Sequence, residues 1–207
     1  MPSRLSRHLD VRSDDAGKAL IHIHEDDWGL RTLHPLAARH EVAQDMDVSR
    51  EAGERNCAPS GKGWTAVHVI RPASEDYSQT GLTPAAVAVV LEPIMPRVKR
   101  FYATATSGFS LKPGEDPYGY YNEDAWCFGR GPHCYIKLDV KEGFVCGIWF
   151  DLYGSSPADA AALRLSLEAI DRLVPSFVAD YVLDAEGPVA NAEFLSAYCK
   201  RLMGDEE

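Results

Sequence analysis

Basic residues are scarce in this chain. Lys and Arg number 21 against 31 Asp and Glu in 207 residues, a formal net charge of −10. Phosphate backbones are held by clustered Lys and Arg, so this balance argues against a nucleic-acid partner. The one locally basic stretch, RVKR from Arg97 to Arg100, reads as a solvated strand edge. Cysteine is sparse too: Cys57, Cys127, Cys134, Cys146 and Cys199 are odd in number and scattered, so reduced thiols in a cytoplasm are expected. Long apolar runs are missing. No window approaches the roughly 18 uninterrupted apolar residues of a membrane helix. The arginines of the first residues have no apolar stretch behind them, so no secretory signal is expected.

Catalytic signatures are equally lacking. There is no Gly-x-Ser-x-Gly, His-Glu-x-x-His or Gly-x-Gly-x-x-Gly. APSGKGWT (Ala58 to Thr65) has Asn56 where a phosphate loop needs its first glycine and Gly63 where it needs Ser or Thr. No cofactor is expected.

What remains is an ordinary globular composition, 45% hydrophobic and 25% charged. Residues 1–18 read as a polar N-terminal arm before a single domain over 19–207. KALIHIH alternates, placing Ile21 and Ile23 on a core face and His22 and His24 opposite. EDDWG turns the chain. A helix is expected from His34 to Asn56, with Pro35 near its first position and an apolar stripe of Leu36, Ala43 and Met46. WTAVHVIRP (Trp64 to Pro72) reads as a strand. LTPAAVAVVLEP reads as a helix capped by Thr83 with Pro84 first, and RVKRFYATAT as a strand. A long Gly/Pro/Tyr loop follows.

Three strands are expected at 124–129, 134–140 and 144–152, linked by RGP and KEG. Ser156 and Asp159 form a capping box for a helix buried through Leu163, Leu167, Ile170 and Val174. SFVADYVLD then reads as a strand and EGPVAN as a turn. The closing helix, capped by Asn191, buries Leu195, Cys199 and Leu202. A meander inside a mixed string predicts an α+β fold. Its sheet should be largely antiparallel and covered by three to four helices.

Two stretches can bear function. The first is IHIHEDDWG, Ile21 to Gly29. Two histidines at i and i+2 on a strand point the same way, as a metal requires, with Glu25, Asp27 or His68 as further ligands. The favoured reading is a strand and its turn, without a metal. The second is DPYGYYNEDAW, Asp116 to Trp126, whose tyrosines make large contacts at low entropic cost. Glu25-Asp26-x-Trp28 and Glu123-Asp124-x-Trp126 share a Glu-Asp-x-Trp pattern. Cys127 and Cys134, with His133, are too widely spaced for a zinc site and read as thiols of one hairpin.

The sequence therefore favours a non-enzymatic, bacterial-type cytoplasmic protein that binds a basic protein partner, in the style of a toxin-neutralising (immunity-like) or accessory protein. The binding residues would be Glu25, Asp27, Trp28, Tyr118, Tyr120, Tyr121, Glu123, Asp124 and Trp126. The alternative is a metal-dependent or carboxylate-based hydrolase centred on His22 and His24. A homo-oligomer is a third reading.

Overall fold

Residues 20–25, 28–58, 60, 69–70, 73–104, 119–153 and 156–204 are described by a computed structural model. The N-terminal arm, Asp26, Asp27, Tyr118, most of the strand expected at 64–72 with its His68, and the centre of the Tyr-rich loop lie outside the described residues.

The α+β expectation holds. Among the described residues ten strands form two sheets: β1 (Leu20–His24), β2 (Arg31–Pro35), β3 (Arg97–Val98), β4 (Arg100–Thr104), β5 (Tyr120–Asn122), β6 (Trp126–Gly131), β7 (Cys134–Lys141), β8 (Phe144–Leu152), β9 (Ser176–Asp180) and β10 (Ala185–Pro188). Four helices accompany them: α1 (Arg39–Arg55), α2 (Pro84–Leu91), α3 (Pro157–Asp171) and α4 (Ala192–Leu202). None is long and apolar enough to cross a membrane, among the described residues.

The large sheet has seven antiparallel strands in the order β10-β9-β2-β8-β7-β6-β3. The small one is mixed, β1-β4-β5, with β1 parallel to β4 and β5 antiparallel. Alternation along each strand sorts side chains to the two faces of the large sheet. Leu33, Phe128, Ile136, Leu138, Ile148, Phe150 and Val178 face one way, onto α2, α3 and α4. Tyr135, Trp149 and Cys127 face the other way, onto Ile21, Ile23 and Phe101 of the small sheet. On that same face α1 packs Val42 and Met46 over Phe177 and Ala179. The small sheet and α1 thus cover different parts of one face. Each fully buried Leu, Ile or Phe contributes about 1.5–3 kcal/mol.

The helix ends follow local chemistry. Thr83 Oγ1 accepts from the Ala86 N–H at 3.2 Å, with Pro84 at the first position of α2. Ser156 and Asp159 exchange both capping-box hydrogen bonds at the start of α3. Asn191 Oδ1 accepts from two N–H groups of α4. Leu163, Leu167, Ile170, Leu195, Cys199 and Leu202 are buried as expected.

The differences are in short strands. Arg31–Pro35 is a strand, of which His34 and Pro35 were expected to start a helix and the first three residues had no assigned element. β9 and β8 pair with it on both sides, and the helix begins only at Arg39, leaving Leu36 exposed. RVKRFYATAT divides at Lys99: Arg97–Val98 joins the large sheet and Arg100–Thr104 the small one. Tyr120–Asn122, expected in a loop, pairs with β4. Part of the expected turn EGPVAN is β10, an edge strand that tolerates Pro188. Gly187 is required there, because a Cβ would stand 2.6 Å from the Phe194 ring of α4. Cys127 and Cys134 face opposite sides of the large sheet, so they are not the cross-strand pair their hairpin suggested.

Candidate functional site

The histidine pair of β1 shares one face, opposite Ile21 and Ile23, as the alternation requires. His22 Nε2 lies 2.7 Å from Thr104 Oγ1, and burial lowers the His22 pKa. His22 meets Tyr102 edge-on. No group of three or more His, Cys, Asp or Glu able to hold a metal occurs among the described residues.

The remaining candidates fall on several faces. Tyr121 packs edge-on against Tyr102, on the side of the small sheet opposite Tyr120. Tyr102 Oη donates to Glu123 Oε1, while Arg100 bonds Tyr102 at 3.0 Å and Glu123 at 3.3 Å. Asp124 lies 3.6 Å from Arg97. The Arg97 guanidinium covers the Trp126 ring at 3.7 Å, and Trp126 joins the helix-side core. The two Glu-Asp-x-Trp stretches therefore hold their tryptophans in unlike places. Glu25 is half-buried at the end of β1, where its carbonyl accepts from the Trp28 N–H.

Trp28 and Tyr120 do converge. Trp28 is 42% exposed, and its ring centroid lies 4.8 Å from Tyr120 and 5.7 Å from Trp149. An exposed indole backed by two rings is held at little entropic cost.

Beneath these rings lies a group the sequence reading missed. Lys137 is 1% exposed. Its ammonium sits 5.6–5.9 Å from the ring centroids of Phe101, Tyr120 and Trp149, a cation–π cage. Lys137 Nζ donates to the Leu138 carbonyl at 2.8 Å and to Asp139 Oδ1 at 3.3 Å. Asp139 Oδ2 accepts from Trp149 Nε1 at 3.1 Å. The aspartate is thus held from two sides. The sequence did carry a signal: Tyr135, Lys137 and Asp139 share one face of β7.

Asp139 opens into a cavity of about 490 Å³. Its floor is the large sheet between α1 and the small sheet: Thr32 and His34 of β2, Asp139 of β7, and Gly147 and Trp149 of β8. Trp28 stands on one wall, and Asp76 and Tyr77 on another. Gly147, opposite Asp139, keeps the floor low; a Cβ there would meet Asp139 Oδ2 at 3.2 Å. Half-buried Cys146 also lines it, and burial raises its thiol pKa. Burial pushes Cys127 and Cys134 up to about 12, so neither is a ready thiolate.

His34 bonds Thr32 Oγ1 at 2.8 Å and stacks on Phe177. Burial lowers its pKa to about 4, so the ring is neutral at pH 7. An unfolded chain protonates this histidine near pH 6.5 and the folded one only near 4. Stability is therefore full above about 6.5 and falls as pH drops toward 4, by up to about 3 kcal/mol. Urea midpoints at pH 7, 6 and 5 should show this slope, and His34→Gln should flatten it. An equal slope in the variant would assign the acid sensitivity to other groups.

Comparison with models of known families, with curated proteins and with solved structures finds no match for this chain.

Proposed function

We propose that this chain is a non-enzymatic binding protein that docks a basic protein partner, toxin-neutralising or accessory in style. One observation carries the reading. Trp28 presents an exposed indole, splinted by Tyr120 and Trp149, beside a cavity lined by Asp76 and Asp139. No Lys or Arg is among the described lining residues. Rigid aromatic anchors next to carboxylates suit the lysines and arginines of a partner. The net charge of −10 extends the same preference over the whole chain.

Hexalysine is a defined basic probe. It is expected to shift the tryptophan emission, with affinity falling as salt rises from 20 to 300 mM. Trp28→Ala should weaken it by about tenfold or more. Binding of hexaglutamate with equal strength, or binding indifferent to Trp28→Ala, would overturn the reading.

A further inference from the structure

The cavity beside Trp28 is a site in its own right, whether or not a protein docks above it. We propose that it binds a small organic cation carrying an aromatic or apolar body.

Four features combine to select this class. The volume, about 490 Å³, lies in the range of pockets that enclose small ligands. The lining mixes flat apolar walls, Trp28, Trp149 and Tyr77, with few polar groups. The floor offers acceptors for a donor-rich ligand, the Asp139 carboxylate and the Thr32 hydroxyl, and its neutral His34 is bonded to Thr32. An anion finds no counter-charge among the described lining residues. The described lining has no Lys or Arg, and His34 stays neutral at pH 7. Lys137 lies behind the floor, already spent on Leu138 O and Asp139.

Asp139 is suited to receive the charge. The Trp149 indole N–H and the Lys137 ammonium hold its two oxygens in place, so a ligand meets a fixed carboxylate. The protein also shows the recognition mode internally. Tyr120 and Trp149, which cage the Lys137 ammonium, are also the rings against which Trp28 packs at a tilt. A ligand cation under Trp28 would repeat that contact, gaining a paired carboxylate in addition.

A matched series separates charge from shape: phenethylamine, 2-phenylethanol and 3-phenylpropionate at millimolar concentration, each with two methylenes between ring and polar group. Binding is read by calorimetry. Occupancy of the cavity is read by the rate at which Cys146 reacts with N-ethylmaleimide, mapped by mass spectrometry, with exposed Cys57 as internal control. Phenethylamine should slow Cys146 at least fivefold and leave Cys57 unchanged, while the alcohol and the carboxylate bind at least tenfold more weakly. Gly147→Leu fills the floor without removing a polar group, and Asp139→Asn removes the charge. Both should abolish or reduce binding tenfold in protein that remains folded by circular dichroism. Equal or tighter binding of the carboxylate, binding unaffected by Gly147→Leu, or no heat from any of the three would overturn the site. Hexalysine binding to a protein that gives no heat with phenethylamine would leave the surface reading standing while the cavity reading fails.

Discussion

Replacing Asp180 with alanine is expected to remove about 3–5 kcal/mol of folding stability. Asp180 is 0% exposed at the end of β9. One carboxylate oxygen accepts from Arg31 Nε at 3.1 Å and from Tyr198 Oη at 2.9 Å. The other accepts from the backbone N–H groups of Val182 and Leu183 at 2.8 and 2.9 Å. Arg31 also donates to Asp151. Burial works against the Arg31 charge, and the two aspartates outweigh it, so its pKa is raised. Burial, with Asp180 beside it, likewise raises the Tyr198 phenol well above its usual value. Alanine would leave a buried phenol and two N–H groups without an acceptor, and half the charge balance of Arg31 would go. Asp180→Asn keeps an acceptor for the turn and should lose less. Arg50, whose partners Asp47 and Asp184 are solvated, is the control; Arg50→Ala should cost far less. In a domain of this size the Asp180→Ala loss lowers the melting temperature on the order of 10 °C. A shift as small as that of Arg50→Ala would show that water replaces the lost carboxylate.

That network joins a strand, a turn and a helix far apart in sequence, and nothing in ADYVLD announced it. What was legible was local. The β7–β8 hairpin was placed within a residue because its alternation is regular and Glu142-Gly143 turns it, both with positive φ. The starts of α2, α3 and α4 were readable from Thr83, Ser156 and Asn191, whose caps act within three residues. β2, β5 and β10 were not readable. Each is three to five residues long, and its identity is set by a distant partner: β2 is a strand because β8 and β9 flank it, more than a hundred residues away. The candidate site divided in the same way. Trp28 and Tyr120 stood out as aromatics in irregular segments, and the fold sets their ring centroids 4.8 Å apart. Trp149 and Asp139 looked like ordinary strand residues, and His34 was read as the start of a helix. Only the second sheet folding over β7 and β8 makes Lys137 a buried charge, and strand periodicity cannot see a layer above.

Removing Asp139 alone is expected to destabilise the protein more than removing Asp139 and Lys137 together. In Asp139→Ala the Lys137 ammonium stays in its ring cage with the Leu138 carbonyl as its remaining hydrogen-bond partner among those described, and the Trp149 N–H loses its acceptor. A buried charge stripped of its partner costs about 3–5 kcal/mol, and the lower end applies because Asp139 itself is partly exposed. Lys137→Met fills the cage with an unbranched apolar chain and leaves a carboxylate that cavity water can solvate, so its cost should stay near 1 kcal/mol or below. The double variant should resemble Lys137→Met plus the indole's lost bond. A double-mutant cycle from urea unfolding should therefore give a coupling of about 2 kcal/mol or more. The alternative outcome, an Asp139→Ala cost under about 1 kcal/mol, would mean that three rings and one carbonyl satisfy the ammonium alone. Asp139 would then be a carboxylate the fold does not need, held at a cavity by little more than the Trp149 N–H. That outcome would leave its charge uncommitted within the fold, and the cation-binding series would show whether a ligand uses it.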